Sequence, residues 1–216
     1  MTGTADGVER KWAGAQAAEH YARGRFRGSR AASRDPRLVE TLLREHDAPA
    51  DGLYLDAPCG TGRLSPLLAG HGASVALDAN RPMLERLRAA GQATTLVEGS
   101  VLALPFADAS FDVVVCCRLL HHLRRREQLE QATRELVRVS RRLVLASFWD
   151  ACSWPALRVR LGLKRDEGPD GRGAVPRAEL AALFAAAGAP VVAYRCALRF
   201  VSQQTFLVAE RERLPR

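Results

Sequence analysis

Short apolar runs alternate with amphipathic stretches along most of the chain. The runs Leu53-Tyr54-Leu55, Val75-Ala76-Leu77, Leu96-Val97, Val113-Val114-Val115-Cys116-Cys117 and Leu143-Val144-Leu145-Ala146 have the length and β-branched content of strands buried on both faces. Between them, Leu38, Val39, Leu42 and Leu43, and later Met83, Leu84 and Leu87, recur at helical spacing and predict helices with one buried side. Asp35-Pro36 reads as a helix start, with Asp35 as the cap and Pro36 in the first turn. Asn80-Arg81-Pro82 reads as another start, and Gly70-His71-Gly72 as a stop. A further helix is expected from Arg124-Arg125-Arg126 to Val139, with Glu127 and Glu130 near its arginine-rich start. A fifth strand is expected over 141–149, then a capped helix over 176–187 ended by Gly188. Residues 191–198 and 201–210 alternate like paired strands, with Ser202-Gln203 near their turn. Strands interleaved with helices predict an α/β fold.

The chemistry concentrates where the first strand ends. Leu53-Tyr54-Leu55-Asp56-Ala57-Pro58-Cys59-Gly60-Thr61-Gly62-Arg63-Leu64 reads as strand, acid, glycine turn and helix. Glycines at 60 and 62 permit positive φ and close approach of a ligand to the backbone. The helix that follows is expected to point free N–H groups and its positive dipole end at the turn. Such a turn, at the end of a parallel strand, is a nucleotide-type site. A dinucleotide site wants Gly-x-Gly-x-x-Gly, and Ser65 occupies the third glycine position. A carboxylate at Asp56 would repel a pyrophosphate, whereas it suits the ammonium of an amino-acid-bearing nucleoside. That favours S-adenosylmethionine, which has an α-amino group, a ribose and an adenine but no phosphate. Standing alone, the turn is equally compatible with an ordinary strand–helix connection. Val75-Ala76-Leu77-Asp78-Ala79-Asn80 adds a second strand ending in an acid, at roughly the twenty-residue distance of a ribose-binding carboxylate.

Further motifs follow in order: Leu96-Val97-Glu98-Gly99-Ser100-Val101, Leu104-Pro105-Phe106-Ala107-Asp108-Ala109-Ser110-Phe111-Asp112, the strand 113–117, and Leu120-His121-His122-Leu123. Over about residues 36–150 this ordered set resembles class I S-adenosylmethionine-dependent methyltransferases of the broad type 11 small-molecule group. The resemblance implies a three-layer α/β sandwich around a seven-stranded, mostly parallel, Rossmann-like sheet closed by a C-terminal antiparallel hairpin. It implies S-adenosyl-L-methionine as cofactor. Asp56, Ala57, Pro58, Cys59, Gly60, Thr61 and Gly62 would then surround the amino-acid portion, and Asp78 the ribose. Ala79 and Met83 would lie against the adenosine, Ser100 and Val101 at the adenine, and the backbone of Cys117 near the methionine portion. Two positions depart from the family pattern. Ser100 stands where an aspartate is usual, so its contact to the adenine amino group lacks charge assistance and is weaker by ~1 kcal/mol. Pro58 replaces a common glycine, which fixes φ and removes one N–H. His122 stands at a recurrent histidine position of the family. With His121 it is a candidate general base for a hydroxyl, phenol or amine nucleophile; a structural histidine is the alternative for each.

Composition changes the picture only at the margins. At 216 residues and 47% hydrophobic, the chain suits one full core. No apolar run reaches the ~18 residues of a membrane span, and no charged-then-apolar leader is visible, so a cytoplasmic location is expected. The five cysteines show no metal spacing and read as reduced thiols. The net charge of +8 fits an acidic acceptor, nucleic acid or a coding bias toward arginine. Residues 1–35 are expected to cap the cofactor and substrate cavity, with Tyr21, Arg25, Phe26 and Arg34 as lid candidates. Residues 36–216 form the expected methyltransferase domain, with an insertion at about 150–175 on the substrate side. There Trp149, Trp154, Arg158, Arg160 and Arg172 are candidate contacts for an apolar or anionic small-molecule acceptor. The expected reaction is methyl transfer to an oxygen, nitrogen or carbon nucleophile of a small-molecule or lipid-like acceptor. An RNA methyltransferase, a nicotinamide-dependent oxidoreductase and a non-catalytic cofactor-binding subunit are the alternatives, the oxidoreductase being disfavoured by Asp56 and Ser65.

Overall fold

A computed structural model describes residues 30–91, 95–163, 173–196 and 202–211, with side chains from Arg34 onward. Seven strands form one sheet: β1 (Leu53–Asp56), β2 (Ala73–Asp78), β3 (Thr95–Glu98), β4 (Phe111–Cys116), β5 (Ser140–Trp149), β6 (Val191–Cys196) and β7 (Gln204–Glu210). Their order across the sheet is β3-β2-β1-β4-β5-β7-β6. The pairings from β3 through β5 are parallel, and β7 runs antiparallel to both β5 and β6. The helices are α1 (Arg30–Glu45), α2 (Ser65–His71), α3 (Arg81–Ala89), α4 (Arg126–Val139), α5 (Trp154–Arg160) and α6 (Arg177–Ala186), with a 3₁₀ turn at Leu120–His122.

Alternate side chains of the central strands feed two core layers, as the period of two requires. On one face Leu55, Leu77, Val114, Val144 and Phe148 pack with Leu129 and Leu136 of α4 and Leu180 and Phe184 of α6. On the other, Tyr54, Val113, Val115, Leu143 and Leu145 pack with Val39, Leu42 and Leu43 of α1 and Leu68 of α2. Helices therefore cover both faces, and the sandwich has the three layers expected. Asn80 caps α3 as predicted, its Oδ1 accepting from the Met83 amide at 3.2 Å. Asp112 also serves structure: its Oδ2 accepts the Leu53 amide at 2.8 Å and fastens β4 to the start of β1.

Four local expectations are corrected. The first helix does not start at Asp35. It begins at Arg30 and carries Pro36 inside it, and Asp35 is 1% exposed, its carboxylate turned inward to arginines instead of capping. Helix α4 starts at Arg126 with no side-chain cap. Arg126 meets Glu179 of α6 at 3.9 Å, while Glu130 pairs with Arg134 one turn on. Pro176 precedes α6 without a side-chain cap. Finally, β7 is buried throughout 204–209. It lies between β5 and β6, with core on both faces, so its burial does not alternate. The predicted hairpin turn lies partly at 197–201, outside the described residues.

Tyr21, Phe26, Arg25 and Arg172 also lie outside the described residues. Arg34 is part of α1 and half-buried. Among the described residues, no helix is long and apolar enough to cross a membrane.

Candidate cofactor site

The carboxyl ends of β1, β2 and β4 meet at one edge of the sheet, and most of the residues expected to hold a cofactor gather there. Gly60 and Gly62 take φ of +56° and +82°, a backbone conformation that glycine adopts without the steric cost of a Cβ. The Gly60 amide donates to Asp78 Oδ2 at 2.7 Å, and the Asn80 amide to Asp78 Oδ1 at 2.8 Å. Asp78 thus ties the glycine turn to the start of α3 while sitting at the end of β2.

Three more backbone amides of the turn are engaged. The Ala57 amide donates to Val115 O, the Cys59 amide to Leu77 O and the Gly62 amide to Cys59 O, at 2.9, 2.9 and 3.0 Å. Pro58 has no N–H to offer. Helix α2 begins only at Ser65. Four amides of the turn, those of Ala57, Cys59, Gly60 and Gly62, are thus given to protein acceptors.

Two buried carboxyl groups flank the turn. Asp56 is 2% exposed and accepts from Ser65 Oγ at 3.3 Å. Burial raises its pKa to about 7 against the lowering effects of Ser65 and Arg63, and Asp78 adds to the rise. Asp78 is 9% exposed; burial pushes its pKa up, and the Asn80 and Gly60 amides pull it down. Asp56 is thus a buried carboxyl group at the end of β1.

The other predicted residues divide into frame and lip. Ala57 is wholly buried in the main core. The Cys59 side chain packs with Ala76, Leu84 and Leu87, so this residue supports the turn from behind. Met83 is 4% exposed. Pro58, Gly60, Thr61 and Ser100 are half-buried, and Ala79 is exposed; these present surface. Ser100 Oγ accepts the Leu102 amide at 3.1 Å, and Val101 beside it is 7% exposed.

One residue that organises this loop was not singled out from sequence. Arg138 of α4 donates to Leu104 O, Phe106 O, Asp108 and Glu135 at 2.7 to 3.0 Å. Glu135 Oε2 accepts the Leu104 amide at 2.7 Å, and Arg138 holds its pKa below the ordinary value. Helix α4 thereby clamps the segment that carries Ser100 and Val101. No local signal marks this pairing, because the partners are some thirty residues apart.

At the end of β4, Cys117 is half-buried, and burial raises its thiol to about 12. His121 is 4% exposed. It stacks on Trp149 at 4.8 Å between centroids with 2° between planes, and meets His122 at 4.4 Å. His122 is half-buried. Trp149 is thus a partner of His121. Trp154 instead lines a cavity of ≈ 560 Å³ with Asp150, Cys152, Arg177, Tyr194 and Cys196, among others. That cavity opens past the ends of β5 and β6. By strand spacing, β5 lies about 10 Å from β1 across the sheet. Arg158 and Arg160 of α5 are exposed.

A family model described as a methyltransferase domain matches residues 55–144, the stretch from β1 into β5. That match covers about two fifths of the chain and is a similarity to methyltransferase domains over that stretch. Over part of its length the chain is similar to the ubiquinone/menaquinone biosynthesis C-methyltransferase UbiE of Ruegeria sp. strain TM1040. The two are 38% identical over 120 residues, 50% of this chain and 48% of the relative. It is also similar to the malonyl-[acyl-carrier protein] O-methyltransferase of Erwinia pyrifoliae, 46% identical over 72 residues, 32% of this chain and 28% of the relative. The matched stretches span less than half the length of these curated relatives. Among solved structures, magnesium protoporphyrin IX methyltransferase of Synechocystis PCC 6803 with bound SAH superposes with a TM-score of 0.76. It is 16% identical over 95% of this chain and 99% of that one, a likeness of fold.

Proposed function

We propose that this chain binds S-adenosylmethionine across the turn after β1 and transfers its methyl group to an oxygen, nitrogen or carbon nucleophile of a small-molecule or lipid-like acceptor. The observation that carries the reading is the pair Asp56 and Asp78 on either side of a turn four of whose amides are engaged within the protein. That environment disfavours phosphate and favours a cationic nucleoside.

The residues present fit such a ligand. A carboxylate has about four lone-pair sites, so Asp78 can accept ribose hydroxyls beyond the two amides it already holds. Ala79, Met83 and Val101 offer apolar contact on either side of an adenine, with Ser100 as the polar partner. Asp56 supplies the negative field for the ammonium. Bound there, S-adenosylmethionine supplies an activated methyl group on a sulfonium that loses its charge on departure. The protein then contributes mainly proximity and alignment, and a base is needed only for a poorly ionised nucleophile. His122 is the candidate base, since His121 is buried in its stack on Trp149. The cavity beyond β5, with Trp154 at its wall, is the proposed acceptor side. The names of the two curated relatives, a quinone-biosynthesis and an acyl-carrier-protein methyltransferase, support acceptors of low molecular weight or held on a carrier.

The test uses the full chain with methyl-labelled S-adenosylmethionine and a panel of phenols, quinols, amines and carboxylates. Label transfer to one class supports the reading. Saturable cofactor binding with no transfer to any class would instead favour the non-catalytic subunit.

A further inference from the structure

Helix α5 stands apart from the core, and none of its residues is buried. A helix this short has little stability of its own, so its ends matter, and both ends of α5 are closed. Ser153 Oγ accepts the Ala156 amide at 3.4 Å, and Pro155 occupies the first turn. At the other end Gly162 takes a φ of +68°. Its amide donates to Val159 O at 3.0 Å, and the Leu163 amide donates to Arg158 O at 2.9 Å, the paired bonds of a glycine-closed helix terminus. The apolar side chains of this stretch are thus held by backbone geometry and not by burial.

What α5 presents is apolar and basic together. Among the described residues, the large apolar side chains that stay mainly exposed are Trp154, Leu161, Leu163 and Val192, at 53, 57, 63 and 51%. All but Val192 belong to this helix and its terminus. Trp154, Leu157 and Leu161 recur at i, i+3 and i+7 and form one stripe along the helix. By helical periodicity Arg158 falls on one border of that stripe and Arg160 on the other, and both arginines are exposed. From 151 to 165 the sequence holds Arg158, Arg160, Lys164 and Arg165 and no acidic residue.

That pairing of chemistries selects among partners. A nucleic-acid backbone uses the arginines and leaves the leucines in water. A second copy, meeting this patch with its own, sets like charges against each other. An anionic bilayer surface uses both halves: its headgroups attract the basic side chains, and tryptophan and leucine settle at the boundary with the acyl chains. Trp154 also lines the ≈ 560 Å³ cavity, so the exposed surface runs into the proposed acceptor side.

We propose that α5, with Leu161 and Leu163, seats the protein on an anionic lipid surface and brings the Trp154 wall of the cavity to the lipid. A helix of this length lies in the interface and does not cross it. An amphiphilic acceptor held in that surface then meets the cavity without passing through water. The docking stands on α5 alone; the use made of it rests on the functional reading above.

Sedimentation of the full chain with lipid vesicles tests the docking, and calorimetric titration with S-adenosylhomocysteine reports separately on the cofactor site. Vesicles of equal parts phosphatidylcholine and phosphatidylglycerol should bind the protein about tenfold or more tightly than phosphatidylcholine alone, and salt should weaken that binding. Leu161→Ser and Leu163→Ser combined should lower vesicle affinity about tenfold or more and leave S-adenosylhomocysteine affinity unchanged. Arg158→Gln and Arg160→Gln should each lower it about fivefold, on anionic vesicles only. All four side chains are exposed, so the changes spare the core. Brominated phosphatidylcholine in the vesicles should quench the fluorescence of wild-type protein more than that of Trp154→Phe. Equal binding to both vesicle types, full binding by the double leucine variant, or equal quenching overturns the docking. So does wild-type protein that binds no vesicle, whether it associates with itself or with RNA instead. Vesicle binding without S-adenosylhomocysteine binding upholds the docking and overturns the functional reading.

Discussion

The Gly60 amide donates to the carboxylate of Asp78 across 2.7 Å, joining the turn after β1 to the end of β2. One side chain thereby fastens the turn to the start of α3, and in the proposed function it also accepts from a ligand hydroxyl. Asp78→Ala should cost about 1.5–3 kcal/mol of cofactor binding. It should also lower the thermal midpoint, because the amides of Gly60 and Asn80 lose their acceptor. Calorimetry and thermal unfolding check the two effects separately, and unchanged affinity removes Asp78 from the site.

Asp56 gives the site a pH dependence. Its pKa is raised to about 7 by burial, so its stabilising effect on the fold is complete below about pH 4 and is lost as pH rises toward 7. Ligand binding runs the other way, because an ammonium is favoured by the ionised carboxylate. Affinity for S-adenosylhomocysteine should therefore rise by up to about tenfold between pH 6 and pH 8. Asp56→Asn should flatten that profile. An Asp56→Asn profile identical to wild type would assign the titration to another group.

Arg138 clamps the loop that carries Ser100 and Val101. Arg138→Met should cost about 2–3 kcal/mol of stability and speed amide exchange across 100–110. Exchange unchanged in that loop would show that its order comes from apolar packing.

The two histidines should separate. His121, buried between Trp149 and His122, should lose about 2 kcal/mol of stability on change to alanine. His122→Ala should depress turnover ~100-fold or more with near-normal cofactor binding if it removes the acceptor's proton. Normal turnover would leave His122 a structural role.

What could be read from the sequence was local in character. The apolar runs of β1, β2 and β4, the glycines at 60 and 62, the acids ending β1 and β2 and the Asn80 cap each depend on neighbours a few residues away. Asp35 was misread for the same reason. Asp-Pro is a local start signal, but the partners that bury this carboxylate, Arg63 and Arg118, lie 28 and 83 residues along the chain. The clamp by Arg138 and the burial of β7 between β5 and β6 are likewise consequences of topology. The turn itself was half legible. Its glycines were identifiable, but the engagement of the Ala57 and Cys59 amides depends on Val115 and Leu77, acceptors on other strands.

The central claim is that the carboxylate-flanked turn takes a sulfonium nucleoside and not a diphosphate. The most direct measurement is a titration of the purified chain with S-adenosylhomocysteine and, in parallel, with NAD⁺ and NADP⁺. The account predicts saturable binding of one S-adenosylhomocysteine per chain and none of either dinucleotide. Tighter binding of a dinucleotide, or no binding of S-adenosylhomocysteine, would contradict it.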